Sequence, residues 1–500
     1  MMKRRRFLTS LGGLATMGFV APWARAVSGD MAHGMHASMS QAATELADIT
    51  ALPKGALLAD LPRLANTTKQ DALFRATLVA APTKHKVMTG TETQCWTYNG
   101  NLPGPLIDVF EGDTVEILLE NRLPQATTIH WHGLPVPPEH DGNPQDAVPP
   151  GEQRWYRFTL PKGSAGTYWY HPHPHGTTPE QVFRGMAGVF IVRTKEDPLA
   201  DIPERLLLVS DLKLAKDGQI APNDTNDEMN GREGQFVLVN GQHQPILRFH
   251  QGGRERWRIW NASNARYLRL TLPGMRFALV GTDGGLLEHP IPNLTEWLVA
   301  PAQRVELIVE VGEQPGLIDL TAAVYARGKM GSVQPDQPQR LLTVDFGAVK
   351  ATTLAPLPTV LRRIEPLGRH RAKKRVVFSE EMSMADGRHD MKFLLNGRRY
   401  DMSRVDLISR INQIELWEIV NQADMDHPFH IHGTQFQVVE SVFEGKTTRP
   451  AYRAWYDTVN LRAGEIVRIK LVQSFKGLRM FHCHILEHEN AGMMAQLKVI

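Results

Sequence analysis

The chain repeats one pattern three times, and this repeat limits its fold more than any other feature. Each copy begins with an Asn-Gly pair, continues through polar and apolar residues in alternation (residues 106–119 in the first copy), and reaches a second asparagine 21 to 25 residues later. The copies carry Asn99-Gly100 with Asn121, Asn240-Gly241 with Asn261, and Asn396-Gly397 with Asn421. Short alternating segments bounded by Gly, Pro and Asn are typical of strands in β-sandwiches.

A further strand follows the second asparagine in each copy, and we predict these strands at residues 155–160, 305–311 and 466–471. The repeat therefore predicts an all-β chain of three sandwich domains, at residues 66–196, 200–346 and 370–500. Three domains agree with the length of 500 residues, since a domain averages about 150. The proline-rich residues 354–366 are expected to link the second domain to the third.

The first 26 residues have the features of an export signal. Basic residues at positions 3–6 precede a weakly apolar stretch, and residues 24–26, Ala-Arg-Ala, suit a signal peptidase. Residues 4–8, Arg-Arg-Arg-Phe-Leu, resemble the twin-arginine pattern. We therefore expect the twin-arginine export machinery as a partner and a periplasmic location. Residues 27–65 are expected to form a loose leader.

Charge and cysteine content exclude two classes of protein. The formal net charge is +3, but residues 1–26 hold five basic residues and no acid, so the remainder is slightly negative and offers no basic surface for nucleic acid. With two cysteines, Cys95 and Cys483, the chain has neither a disulfide scaffold nor a cysteine-rich zinc module. We expect Cys95 to be a buried structural thiol.

Histidine pairs give the strongest chemical signal in the sequence. Four pairs have the form His-x-His, two in the first repeat and two in the third: His130 and His132, His171 and His173, His430 and His432, His482 and His484. Because residues i and i+2 project from the same face of a strand, each pair can clamp a metal, and the eight can converge between the two domains. Imidazoles suit copper, zinc, iron or nickel, so the pairs alone do not select the metal. We expect His175, at the same spacing after His173, to be structural or to support the ligands.

Cys483 narrows the choice of metal, because it lies between the histidines of the fourth pair. By strand alternation its thiol faces away from the rings of His482 and His484. His488 and Met493 follow at intervals of five residues, and His427 lies three residues before the third pair. Two histidines, a thiolate and a weak methionine ligand are the set of a blue-copper electron-transfer site.

These segments resemble the multicopper oxidases of the bacterial laccase and cuprous-oxidase type, over roughly residues 70–500. The likeness rests on His-Trp-His-Gly at 130–133, Tyr-His-Pro-His at 170–173, His-Pro-Phe-His-Ile-His at 427–432, and His-Cys-His-Ile-Leu-Glu-His at 482–488 with Met493. The resemblance implies three cupredoxin-like Greek-key β-sandwich domains. It also implies an enzyme with four copper ions, one of type 1, one of type 2 and a type 3 pair, that couples oxidation of a donor to reduction of dioxygen to water.

The resemblance assigns a role to each matched residue. The type 1 copper would be held by His427, Cys483, His488 and Met493, and the type 2 copper by His130 and His430. The type 3 pair would be held by His132, His171, His173, His432, His482 and His484. Asp141 and Glu489 match positions that help to deliver protons to oxygen in the family.

Two classes of electron donor fit this resemblance: phenols or aromatic amines, and Cu(I) oxidised for copper tolerance. Relatives specialised for Cu(I) often carry a long methionine-rich insertion, but residues 327–339 are short and contain only Met330, and residues 382–391 hold a sparse group of three methionines. Asp424, Met425 and Asp426 precede His427 and would form either a Cu(I) entry site or an acidic turn at the rim. We therefore expect a laccase-like oxidase of phenols, with a periplasmic cuprous oxidase as the alternative.

Other functions account for fewer of the residues. A copper-binding or electron-transfer protein needs only the type 1 set, a copper nitrite reductase would not need four clamps in one chain, and the copper-free relatives that act in cell division lose the ligands. We expect a monomer. Residues 31–39, which include His33 and His36, either bind copper loosely or belong to a flexible leader.

Overall fold

The computed structural model describes residues 44–250, 253–311, 316–347, 354–385 and 388–500, without the side chains of 383–390. Within these ranges the chain forms 31 strands in six sheets, with three short α-helices. The prediction of an all-β chain is therefore confirmed. No helix in the described part has the length and apolar character needed to cross a membrane. The predicted export signal and residues 31–39 lie outside the described residues.

The first domain has eight strands in two four-stranded sheets. Strands β1 to β8 are Leu73–His85, Thr93–Tyr98, Gly104–Phe110, Thr114–Asn121, His130–His132, Gln153–Thr159, Gly166–His171 and Gly188–Arg193. The sheet orders are β2-β1-β4-β6 and β3-β8-β7-β5. The connections contain 3₁₀ turns at Pro138–His140 and Pro144–Asp146 and the helix α1, Thr178–Phe183.

The second domain has twelve strands. Strands β9 to β20 are Glu204–Leu212, Phe236–Val239, Gln242–His243, Ile246–Arg248, Arg254–Asn261, Leu268–Thr271, Phe277–Thr282, Gly285–Leu294, Glu296–Val299, Arg304–Glu310, Leu317–Ala323 and Gln339–Asp345. They form a seven-stranded sheet, β11-β10-β9-β13-β18-β15-β16, and a five-stranded sheet, β12-β20-β19-β14-β17. The helix α2, Thr225–Asn230, begins with a capping box between Asp224 and Asp227.

The third domain has eleven strands. Strands β21 to β31 are Ala372–Ala385, Arg388–Leu395, Leu407–Ser409, Ile414–Asn421, His427–Ile431, Phe436–Phe443, Lys446–Thr448, Thr458–Leu461, Ile466–Val472, Gly477–Cys483 and Met494–Val499. The sheet orders are β22-β21-β24-β29-β26-β27 and β23-β31-β30-β25-β28. The helix α3, Leu486–Asn490, follows β30 directly and carries His488.

The three Asn-Gly pairs form equivalent tight turns. In each pair φ is positive at both residues, 50–54° at the asparagine and 72–78° at the glycine, as type I′ hairpin turns require. The side-chain oxygen of each asparagine accepts a backbone N–H from a neighbouring strand, at Val79, Leu208 and Val377 respectively. The same local chemistry therefore builds the same turn in each domain.

The second asparagines of the repeat, Asn121, Asn261 and Asn421, are buried. Each donates Nδ2–H to two or three backbone carbonyls and accepts, at Oδ1, the N–H of the residue two positions later. A buried amide with satisfied donors and acceptor pins the loop that follows the strand. In the first and third domains that loop leads to the first histidine pair of the domain.

Two local predictions differ from the structure. The alternating run over residues 106–119 is two strands, because a turn with Gly112 at φ 95° separates β3 from β4. The described part of the leader, residues 44–65, packs on the domains through buried Leu52 and Leu61 and through isolated bridges to three domain residues. The segment pairs with the domains through single bridges and not as a continuous strand, so its sequence needs no alternation of polar and apolar residues. The three strands predicted after the turns correspond to β6, β18 and β29.

Strand alternation places the histidine pairs at the boundary of the first and third domains. Trp131 between His130 and His132 is buried in the core of the first domain. Ile431 and Cys483, which separate the third and fourth pairs, are buried in the core of the third domain. The flanking histidines project to the opposite side, away from each core.

Candidate metal centre

Eight buried histidines from the first and third domains form one cluster, as the sequence predicts. Their nitrogen atoms fall into three sets, each with atoms within 4.8 Å of one another. The sets are His130 with His132 and His430, His132 with His171 and His484, and His173 with His432 and His482. All eight rings are inaccessible to solvent.

Two of the close contacts between rings cross the domain boundary. Nε2 of His130 lies 3.3 Å from Nε2 of His430, and Nε2 of His173 lies 3.2 Å from Nε2 of His482. Each domain therefore supplies half of a shared centre, and the cluster exists only when the two domains pack together.

In several of these histidines, a hydrogen bond at one ring nitrogen determines that the other nitrogen faces the centre of the cluster. Nδ1–H of His171 donates to the carbonyl oxygen of Pro172. In the same way, Nδ1–H of His430 donates to the carbonyl oxygen of Asp457, and Nδ1–H of His482 donates to that of Cys483. These rings therefore present Nε2. His132 is reversed: its Nε2 donates to Oδ1 of Asp457 at 2.9 Å, and its Nδ1 lies 3.4 Å from Nε2 of His171. Such partners set the tautomer and the orientation of a metal-binding histidine.

The two predicted proton-delivery acids lie at the cluster. Asp141 accepts a hydrogen bond at Oδ1 from Nδ1 of His130, 3.1 Å away, and its Oδ2 is 3.5 Å from Nδ1 of His432. Glu489 has its oxygens 3.5 Å from Nε2 of His173 and 3.4 Å from Nδ1 of His482. Burial raises the pKa of Glu489 well above its usual value.

Burial favours the neutral form of seven of the eight rings. Burial is the main cause that lowers the pKa of seven of the histidines below the usual value: His132, His171, His173, His430, His432, His482 and His484. Among the described residues, neither ring nitrogen of His484 has a hydrogen-bond partner. Neutral imidazoles with unpartnered nitrogens are what a metal ion requires.

A second group lies on the other side of β30. Nδ1 of His427 is 3.4 Å from Sγ of Cys483 and 3.4 Å from Nδ1 of His488. Met493 is buried beside them, its backbone paired with Cys483 and His488. Burial lowers the pKa of His427 to about 3. A thiol, two neutral imidazoles and a thioether make a soft site that suits copper.

Asp424, Met425 and Asp426, the three residues predicted at the donor site, do not line one open cleft. Asp424 is exposed, but Met425 is 0 % exposed, with its sulfur 3.7 Å from Nη1 of Arg327. Asp426 is buried and accepts hydrogen bonds from Tyr325 and Asn460. The expectation of an accessible soft ligand at Met425 is corrected, because residues 325–328 of the second domain cover this turn.

A cavity of about 400 Å³ lies beside the second group, next to His488. Its wall includes Phe393, which stacks on the His488 ring at 3.9 Å, and Met229, whose carbonyl accepts a hydrogen bond from Nε2 of His488 at 3.1 Å. Met382 and Met391, paired across β21 and β22, also line it. The sequence indicated two of these methionines only as a sparse group and did not indicate Met229, which comes from the second domain.

The remaining residues of interest lie apart from the cluster or were not indicated by the sequence. His175 is exposed and packs against Tyr400, and Cys95 is buried in β2, where burial raises the pKa of its thiol to about 12. Asp457 and Arg304, which contact the cluster or its neighbours, were missed. No motif marks them, because each is a single charged residue in an otherwise ordinary strand or loop.

Comparisons with known proteins agree with this geometry. Three family models described as multicopper oxidase match residues 80–197, 209–332 and 375–500. A multicopper oxidase of Staphylococcus aureus is 32% identical over 449 residues, covering 88% of this chain and 91% of that protein. A laccase of Bacillus subtilis is 27% identical, covering 81% and 90%.

A solved structure gives the same result. The multicopper oxidase from Campylobacter jejuni, described as a metallo-oxidase, superposes with a TM-score of 0.87 at 44% identity, covering 91% of this chain and 98% of that chain. The fold is thus three cupredoxin-like domains, and the family implies bound copper, dioxygen as acceptor and a reducing substrate. The chain belongs to the multicopper oxidase family and is a copper-dependent oxidoreductase.

Proposed function

We propose that the chain holds four copper ions in two sites. A type 1 copper would be held by His427, Cys483, His488 and Met493. A type 2 copper would be held by His130 and His430. A type 3 pair would be held by two sets of three, His132 with His171 and His484, and His173 with His432 and His482. The grouping of the nitrogen atoms supports this division: the two sets of three occur in it, and His130 and His430 lie together in the remaining set, which also includes His132.

When bound, copper would supply one-electron redox chemistry at the first site and reduction of dioxygen to water at the second. The chain's own contribution is the link between them. Cys483 has its thiol beside His427, and the adjacent residues His482 and His484 belong to the cluster. Reduction of dioxygen consumes protons, and Asp141 and Glu489 are two carboxyl groups in reach of the cluster histidines to pass them on.

We propose Cu(I) as the electron donor that the cavity beside His488 favours. His427 and His488 are both fully buried, so an organic substrate cannot touch either imidazole edge directly. The cavity instead offers the thioethers of Met229, Met382 and Met391, which suit Cu(I). Met229 also gives a short route inward, since its carbonyl is hydrogen-bonded to His488.

Two further features support a metal ion in this cavity. Oε2 of Glu487 and Oδ1 of Asn490, both in its wall, are buried and without a hydrogen-bond partner among the described residues. The similar protein from Campylobacter jejuni is described as a metallo-oxidase. The order of donors expected from the sequence is therefore reversed. That order rested on the absence of a methionine-rich insertion, whereas the cavity gathers three methionines from separate segments of the chain.

Phenols remain the second candidate. A cavity of about 400 Å³ is large enough for one aromatic ring, and small-molecule sites begin near 300 Å³. Phe393 offers an aromatic face in its wall, and one relative is a laccase.

We also propose, from residues 1–26, that the protein is exported by the twin-arginine route to the periplasm.

The test compares the two donors directly. Oxygen uptake by the copper-loaded protein is measured with Cu(I) and with a phenol, in the presence and absence of added copper. Rapid oxidation of Cu(I), with phenol oxidation slow or dependent on added copper, supports the proposal. Fast phenol oxidation without added copper and slow Cu(I) oxidation would favour the laccase alternative.

A further inference from the structure

Two buried carboxylates bridge the histidine cluster in the same way. Asp141 of the first domain contacts His130 at 3.1 Å and His432 at 3.5 Å. Asp457 of the third domain contacts His132 at 2.9 Å and His430 at 3.5 Å. Each carboxylate therefore contacts one histidine from each domain. One of the two is the first member of its His-x-His pair, and the other is the second member of the equivalent pair. The repeat of the chain thus extends to the surroundings of the cluster.

Each carboxylate is backed by a buried arginine that packs on a glycine. Arg479 lies 3.5 Å from Asp141 and against Gly433, which directly follows His432. Arg304 pairs with Asp457, and both pack against Gly133, which directly follows His132. Gly133 and Gly433 have φ of 85° and 60°, and a Cβ at either would overlap the arginine. The glycines are therefore required by these close approaches.

The two arrangements differ in how firmly the carboxylate is held. Arg304 donates to both oxygens of Asp457, at 2.8 and 2.5 Å, whereas Arg479 reaches one oxygen of Asp141 at 3.5 Å. A bidentate arginine fixes both the position and the plane of a carboxylate. Asp457 is thus a fixed acceptor.

The firmly held carboxylate depends on the second domain. Arg304 lies at the start of β18, and its remaining donors bind the backbone oxygens of Thr167, Ala302 and Asp283. Asp283 accepts the backbone N–H of Arg304 at 2.8 Å and that of Thr458 at 3.2 Å. One carboxylate thereby ties the arginine of the second domain to the segment of the third domain that carries Asp457.

The position of Asp457 determines the orientation of His132, the cluster ring that turns Nδ1 instead of Nε2 toward its neighbours. Its Nε2–H donates to Asp457, and this bond leaves Nδ1 to face His171. Without an acceptor at that place, the ring would lose the group that selects this tautomer and this orientation. None of the eight cluster histidines comes from the second domain, yet that domain holds the acceptor of one of them.

We propose that Arg304 and Asp283 are positioning residues of the second domain that act through Asp457 to present Nδ1 of His132 to the metal cluster. The inference rests on the proposed function, in which His132 is a copper ligand. It gives the second domain a role in the cluster beyond joining the other two domains.

The test uses Arg304→Met, which keeps an apolar stem and removes the guanidinium, and Asp283→Asn. The matched control is Arg256→Met, because Arg256 is a buried arginine of the same sheet that pairs with Glu306 at 2.5 Å and Asp197 at 2.7 Å. Copper per chain is titrated against a chelator, and the cluster is followed by its electron paramagnetic resonance and near-ultraviolet absorption. The visible band of the type 1 site and the circular dichroism report on the rest of the protein.

We expect both test variants to weaken copper binding at the cluster by about 10- to 100-fold, because each loosens Asp457, and losing the partner of a metal-binding histidine has an effect of that size. The type 1 band should stay intact, and Arg256→Met should bind copper normally. Normal cluster copper and spectra in both test variants would overturn the inference, as would equal copper loss in the control. If Arg304→Met does not fold, Asp283→Asn decides the question in the same way.

His132→Ala separates this inference from the proposed function. If His132→Ala weakens cluster copper and the Arg304 and Asp283 variants do not, the inference fails and the ligand assignment stands. If His132→Ala leaves cluster copper and its spectra unchanged, the ligand assignment itself fails.

Discussion

The carbonyl oxygen of Cys483 accepts a hydrogen bond from Nδ1 of His482, its own neighbour in sequence, at 2.7 Å. The same residue directs its thiol to His427 on the other side of β30. One residue therefore orients a ring of the eight-histidine cluster with its backbone and completes the second group with its side chain. The electron route between the proposed copper sites is at most two residues long.

Replacing Cys483 with serine tests the second group. The change removes the soft ligand that copper needs there and leaves a side chain of similar size. We expect loss of the intense visible absorption and at least a hundredfold loss of donor oxidation, with circular dichroism unchanged. Visible absorption spectra and oxygen uptake measure the two effects. A blue, active Cys483→Ser protein would refute the assignment of this ligand.

Replacing His132 with alanine tests the cluster separately. The change removes one of the eight rings without touching His427, Cys483 or His488. We expect the donor to reduce the blue copper at a normal rate, while reoxidation by air slows by at least about a hundredfold. Stopped-flow absorption follows both steps. His175→Ala is the control, because His175 is exposed and lies outside the cluster, and it should reoxidise normally.

Replacing Asp141 with asparagine tests proton delivery. The amide keeps the size of the side chain but cannot carry a proton to the cluster. We expect reoxidation to slow by about 10- to 100-fold and to change its pH dependence, with full copper content. The control is Asp146→Asn, since Asp146 pairs with Arg154 near the surface. Unchanged reoxidation across pH would make Asp141 a structural residue only.

The methionines of the cavity distinguish Cu(I) from a phenol. We replace both Met382, which is 63 % exposed, and Met391 with leucine. The double change keeps the apolar volume and removes two soft ligands. We expect the KM for Cu(I) to rise at least about tenfold, with phenol oxidation unchanged. Met425→Leu is the matched control: because Met425 is buried away from the cavity, its replacement should cost less than about 1.5 kcal/mol of stability and spare both donors. A selective loss of Cu(I) oxidation in Met425→Leu would contradict this.

The copper-free protein should lose stability in acid. Burial lowers the pKa of His132, His171, His173, His427 and His432 in the folded state, so the unfolded chain binds more protons below its histidine pKa of about 6.5. The stability that these groups contribute is fully present above pH 6.5 and falls as the pH decreases from there. Each histidine contributes a loss of up to about 1.4 kcal/mol per pH unit.

Urea unfolding of the copper-free protein from pH 7.5 to 5 measures this effect. Bound copper should reduce it, because the metal competes with protons for the same nitrogens. A free energy of unfolding that stays constant from pH 7.5 to 5 in the copper-free protein would show that the rings are already solvated or protonated in the folded state.

The sequence alone determined the features that depend on spacing over a few residues. The Asn-Gly pairs require positive φ, the alternating runs form strands, and i, i+2 pairs share one strand face, so the all-β class, the threefold repeat and the convergence of the eight histidines could be predicted. Cys483 could be placed opposite His482 for the same reason. These are local rules, and they hold whatever the domains do later.

What lies next to the two groups of ligands depends on how the domains pack. Arg304 meets Asp457 across 153 positions of sequence, and Met229 of the second domain meets His488 of the third across 259. Met425 looked accessible because it adjoins His427, but residues 325–328 cover it. Such contacts depend on how the surfaces of separate domains pack, and no periodicity along the chain records that packing.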